Sequence, residues 1–170
     1  IFILKKKKIL INKKTSFFYG WLFGFGYFFT NLYWISISLT FDVNFKFLIP
    51  ITIILIPAFL AIFYGLAIFF LFISNFKNTL SLFFLFALLL GLVEFLRGII
   101  LTGFPWNLIA FSFFNYIEIL QIISVIGTYA FNMFCISLFI SPAIFILKRS
   151  SGYFVIFILF LIIPIILYLN

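Results

Sequence analysis

Long apolar runs, broken by short polar interruptions, divide the chain into five segments: 17–39, 47–73, 80–96, 128–147 and 153–169. Each reaches or approaches the roughly 18 consecutive apolar residues that an α-helix needs to cross hydrocarbon. The runs are continuous rather than alternating, which excludes the strands of a membrane β-barrel. The pattern therefore predicts an all-α fold, a polytopic transmembrane helix bundle of about five spans. Asp42 with Lys46, Lys77 with Asn78, and the basic turn from Lys148 to Gly152 mark three of the connections. The remaining connection, residues 97–127, is longer and different in kind. It carries Asn107, Ser112, Asn115 and Tyr116 among aromatic residues, and is expected to lie against the membrane surface as an extracytoplasmic loop with a short interfacial helix at 119–126.

Within the spans, a few residues depart from plain hydrocarbon. Tyr19 and Trp21 near one end of the first run, with Tyr33 and Trp34 near the other, suit the two interfacial aromatic belts. Gly20 and Gly24 have the small-xxx-small spacing that lets helices approach closely, and Gly26 is expected to add a second flat spot. The second run is longer than a vertical span requires, so tilt or a kink at Pro57 is expected. Asn132 is read as a hydrogen-bonding group between helices, and Cys135 as a small packing residue.

Composition sharpens this picture. Hydrophobic residues make up 67% of the 170 and charged residues 8%, too little polar surface for a soluble domain. The net charge of +8 arises from clusters between apolar runs, which speaks for membrane topology and against a nucleic-acid partner. Nine of the eleven basic residues fall on the side of the N-terminal lysine run; only Lys46 and Arg97 fall on the other. That run is accordingly assigned to the cytoplasm, and loop 97–127 and the C-terminal end to the periplasmic side. Residues 1–16 form a basic cytoplasmic segment, with Ile1 to Leu4 as the tail of a preceding span, and 17–170 the transmembrane domain. The first long run lacks a small-residue cleavage site and reads as an uncleaved span. With no histidine, one cysteine and three acids, no metal site or cofactor is expected, and no catalytic constellation is complete.

The most specific stretch runs from Glu94 to Trp106, EFLRGIILTGFPW. Glu94 and Arg97 share a helix face at the edge of a span, where charges are costly unless they pair, reach water or hold a ligand. They read either as a structural ion pair or as a site in which the Arg97 fork takes a lipid phosphate. Phe104 and Trp106 read as interfacial anchors or as walls of an acyl groove. Pro105 cannot continue a helix and disfavours a helical Phe104, so a turn is expected there.

This stretch closely resembles the membrane portion of the bacterial apolipoprotein N-acyltransferases, whose members carry a near-identical E-[FW]-LRG-x-x-LTG-[FY]-PW motif. The Gly20-Trp21-Leu22-Phe23-Gly24-Phe25-Gly26 segment with Trp34, and the Gly127 to Asn132 spacing, extend the likeness to about residues 16–165. The resemblance implies an inner-membrane transferase acting at the outer face. A phospholipid acyl donor passes its chain to an enzyme cysteine, and then to the N-terminal amine of a diacylglyceryl lipoprotein acceptor. In that family the catalytic Glu, Lys and Cys lie in a nitrilase-like domain after the seventh span. The five runs would then be spans three to seven, and no catalytic residue carries over to this sequence; Cys135 lies within a span and is not the nucleophile. The resemblance gives Glu94, Arg97, Phe104 and Trp106 as lipid-site candidates. The 170 residues are expected to be inactive alone, with a separately encoded nitrilase-like half as a candidate partner. The alternative is a non-catalytic remnant or lipid-binding membrane module.

Overall fold

The computed structural model describes residues 12–74, 76, 78–100, 107–148 and 151–169. Among these residues every regular element is helical, as the apolar runs require. Four stretches are long and apolar enough to cross a membrane: Val43–Ile73, Thr79–Ile100, Thr128–Ile146 and Ser151–Leu169. The chain divides into two compact units, Ile1–Asn75 and Phe76–Asn170.

In the first unit, helix α1 (Lys13–Leu32) starts behind Asn12, whose side chain accepts from the Thr15 amide at 2.8 Å and so caps the first turn. The run expected at 17–39 is not one helix. It ends at Leu32 and tightens into a 3-10 stretch, Tyr33–Thr40. The hydroxyls of Ser36, Ser38 and Thr40 donate to the carbonyls of Tyr33, Ile35 and Ile37 at 2.6, 2.6 and 2.7 Å. Bonds to the third residue back suit the tighter winding. A second 3-10 turn, Val43–Leu48, is capped by Asp42 and leads into α2 (Ile49–Ile73), with Pro50 in its first turn, where no amide hydrogen is needed.

Helices α1 and α2 pack antiparallel through the glycine stripe. A Cβ on Gly20 would sit 2.7 Å from the Tyr64 carbonyl oxygen, and one on Gly24 2.7 Å from the Tyr64 Cβ. Only a bare backbone fits there. Gly26, expected to add to this surface, instead faces open space. Trp21 reaches across the pair: its indole N–H donates to the Ala58 carbonyl of α2 at 2.9 Å. Phe28 and Tyr64, both buried, meet edge to face at 5.2 Å and close the contact.

The second unit is built around α6 (Thr128–Lys148), which follows α3 (Thr79–Ile100), the short turns α4 (Ile117–Leu120) and α5 (Ile123–Ile126), and precedes α7 (Ser151–Leu169). Gly91 of α3 packs on Met133 and Gly98 on Tyr129, so α3 and α6 run antiparallel. Helix α6 also meets α7 through tilted ring pairs, Phe134 with Phe160 at 5.7 Å and Phe145 with Phe154 at 5.2 Å. Two boundaries differ from the sequence reading. Helix α3 continues four residues past Leu96; Gly98 does not end it, being packed against Tyr129 of α6, and Pro105 comes later. The helix expected at 119–126 is two four-residue turns separated by Gln121 and Ile122, and it stops at Gly127, whose φ of 83° only glycine adopts without strain.

Candidate functional site

Glu94 lies within α3 and Arg97 in its last turn, near the edge of the span as expected, and both are fully buried at 0% exposure. The spacing from Gly91 through Glu94 to Gly98 keeps one face of α3 turned to α6, since residues three, four and seven apart share a helix face. The two glycines supply the room. At each of them an added Cβ would run into an α6 side chain, Met133 at Gly91 and the Tyr129 hydroxyl at Gly98. The costly charges are thus set into the tightest part of the helix pair. Phe95, on the flank, meets the Tyr129 ring edge-on at 5.0 Å.

Asn132 of α6 organises the polar part of this interface. Its side-chain amide, also 0% exposed, donates from Nδ2 to Oε2 of Glu94. Its Oδ1 accepts from the backbone N–H of Ala110 at 2.9 Å. One side chain therefore bridges α3 to the segment that follows residues 101–107. The sequence reading gave Asn132 a bond between helices, and that bond is present. Its second bond, to the main chain of the loop, had no signal, because a backbone amide looks the same at every position.

The segment after Asn107 does not lie flat across the end of the helices. Asn107 turns with a φ of 56°, Leu108 and Ala110 are buried, and a short 3-10 turn, Ile109–Phe113, runs beside α6. The Phe113 ring lies 6.1 Å from the Phe131 ring and 6.1 Å from that of Phe139. Those two positions are about 12 Å apart along a helix at 1.5 Å per residue. Phe113 therefore sits between them, beside the middle of α6. The expected surface loop is in this part an insertion alongside a span. Its apolar residues join Ile119, Phe131 and Cys135 in one cluster, with Leu167 of α7 packed against it. Cys135 is a packing residue of that cluster at 0% exposure. Phe104 and Trp106, expected beside Arg97, lie outside the described residues.

Chemically, the site offers a fixed carboxylate and a guanidinium held away from solvent, framed by an amide that satisfies both α3 and the inserted segment. Such groups in a span are expensive and serve as anchors for other polar groups or for a polar ligand. A thiol packed in hydrocarbon is not placed to act as a nucleophile.

Comparison with known proteins bears on the same residues. The model for the apolipoprotein N-acyltransferase N-terminal domain matches residues 1–140. The apolipoprotein N-acyltransferase of Rhizobium etli (strain CIAT 652) is 39% identical over 139 residues, 80% of this chain and 26% of that protein. Those of Rhodopseudomonas palustris (strain ATCC BAA-98 / CGA009) and Brucella suis biovar 1 (strain 1330) are each 38% identical, over 128 and 129 residues, covering 75% and 74% of this chain and 24% of each relative. The chain thus spans about a quarter of the length of the curated relatives it matches. No solved structure matches it.

Proposed function

Because this chain belongs to the family of apolipoprotein N-acyltransferases, we propose that it is the membrane part of such an enzyme and holds the phospholipid acyl donor. The overall reaction moves an acyl chain from a phospholipid to the N-terminal amine of a diacylglyceryl lipoprotein. In this reading Arg97 receives the donor's phosphate, and Glu94 holds the Arg97 side of α3 in register with α6. Phe104 and Trp106 wall the adjoining acyl groove. The reactive Glu, Lys and Cys are expected outside these 170 residues, in a nitrilase-like part that works with them. The protein sits in the bacterial inner membrane with the N-terminal lysines cytoplasmic and loop 97–127 and the C-terminal end periplasmic.

The observation that carries this reading is the burial of Arg97 and Glu94 at 0% exposure within a span, in a family that acts on lipidated substrates. A guanidinium presents a planar fork of donors that matches phosphate oxygens. Native mass spectrometry of the purified chain tests it. Wild type is expected to retain a phospholipid, Arg97→Lys to retain less, and Arg97→Ala to lose it. Equal retention by Arg97→Ala and wild type would sink the assignment of Arg97. The same preparation, given a labelled acyl phospholipid, is expected to form no hydroxylamine-labile adduct; acylation of Cys135 would refute the placement of the nucleophile elsewhere.

A further inference from the structure

We propose that Asn132 is a positioning residue that clasps α3, through Glu94, to the 3-10 turn Ile109–Phe113, through Ala110. The inference rests on the lipid-site reading above for its function, and on separate geometry for its mechanism.

Glu94 stands on α3 six residues before its end, and Ala110 stands three residues after Asn107. Both are bonded to the same side chain, although they are far apart along the chain. Asn132 therefore sets the separation of α3 from the turn that follows Asn107. Glycines flanking Glu94 press α3 onto α6, which fixes one end. Phe113, seated between Phe131 and Phe139, steadies the other.

The chemistry explains why an amide stands at this position. The Ala110 N–H is the second of the 3-10 turn Ile109–Phe113, whose preceding residue, Leu108, supplies no side-chain cap. The first amides of a helical turn have no acceptor within the turn, and beside a span no water takes their place. Asn132 Oδ1 is that acceptor. Its Nδ2 must at the same time donate to a carboxylate. Of the small polar side chains, only an amide donates and accepts together in one rigid plane. A carboxylate at 132 would accept from Ala110 but face Glu94 with like charge. A leucine would fill the space and satisfy neither partner.

A swap of the two groups makes the test. In Asn132→Asp/Glu94→Gln, the amide moves to α3 and the carboxylate to α6, so both hydrogen bonds remain available. Backbone hydrogen–deuterium exchange over residues 108–113 in lipid nanodiscs reads the clasp directly. Asn132→Leu, which removes the acceptor of the Ala110 N–H, is expected to speed exchange there by about tenfold, as a lost hydrogen bond at a buried amide would. The double variant is expected to keep it within about threefold of wild type. Phospholipid retention, measured on the wild-type and Asn132→Leu samples, is expected to fall with Asn132→Leu. Unchanged exchange in Asn132→Leu refutes the clasp. Loosened exchange with undiminished retention refutes the positioning role. No retention by wild type refutes the lipid site, while the exchange arm still decides the clasp.

Discussion

The same substitution made at two glycines of α1 should have unequal consequences, and the difference measures packing. At Gly20 an alanine Cβ would approach the Tyr64 carbonyl oxygen at 2.7 Å and the Ile68 Cβ at 2.8 Å. Backbone and a branched carbon cannot swing aside, so α1 and α2 must separate, at a cost of about 1–3 kcal/mol for overpacking. At Gly26, one and a half turns on, nothing lies within 4 Å. Alanine there gains up to about 1 kcal/mol of helix propensity against a fully unfolded chain. In dodecyl sulfate, helices persist in the denatured state, so most of that gain cancels and Gly26→Ala should stay within about 0.5 kcal/mol of wild type. The reporter is Trp21, whose indole bonds to Ala58 across the pair. A dodecyl sulfate titration followed by its fluorescence, in a background with Trp34→Phe and Trp106→Phe, isolates it. Gly20→Ala should unfold at lower detergent fraction, by at least about 1 kcal/mol relative to Gly26→Ala. If the two variants unfold together, α1 does not meet α2 through this stripe and the packing account is wrong.

Three further outcomes follow from the contacts. Phe113→Ala removes the ring between Phe131 and Phe139, and should lower stability by about 3 kcal/mol with a visible fall in thermal midpoint; a change under about 1 kcal/mol would place the segment away from α6. Gly98→Ala drives a Cβ into the Tyr129 hydroxyl, so thermal unfolding should show a loss that adding Tyr129→Phe recovers in part; a loss untouched by Tyr129→Phe would contradict the contact. Trp21→Phe keeps the ring but drops the bond to Ala58, and should cost about 0.5–1.5 kcal/mol in the same thermal assay.

Much of this architecture can be read from residue order alone, and where it cannot the reason is physical. Run length gave the spans of the second unit, because hydrocarbon imposes a minimum that few soluble sequences meet. Gly20 and Gly24 were legible as a contact since four residues bring the chain back to one face. The same periodicity places Gly26 about 200° around from Gly24, and its open surroundings follow from that. The break at Leu32 was hidden: hydropathy does not see hydroxyls that bond three residues back and tighten the helix. Phe111, Phe113 and Phe114 have a composition equally suited to a membrane surface and to a seat beside a span. Only the pairing of Phe113 with Phe131 and Phe139 decides between them. Glu94 and Arg97 stood out because charges are rare here; Ala110 could not, because its contribution is a main-chain amide.

The economy of polar groups in hydrocarbon explains why one asparagine matters so much. Hydrogen bonds between membrane helices average only about 0.6 kcal/mol in double-mutant measurements. On that scale the two bonds of Asn132 add little net stability to a unit held mainly by the α3–α6 and α6–α7 contacts. The penalty for leaving a buried amide or carboxylate without its partner is larger, about 1–3 kcal/mol for each group and more for a charge. The imbalance means that Asn132 does little to decide whether this unit folds, but much to decide which arrangement it folds into. Any shift of the 109–113 turn along α6 strands the Ala110 N–H, and any rotation of α3 strands Glu94. On the proposed reading, a site that presents Arg97 to a lipid headgroup would need that kind of constraint: weak in sum, and steep against displacement.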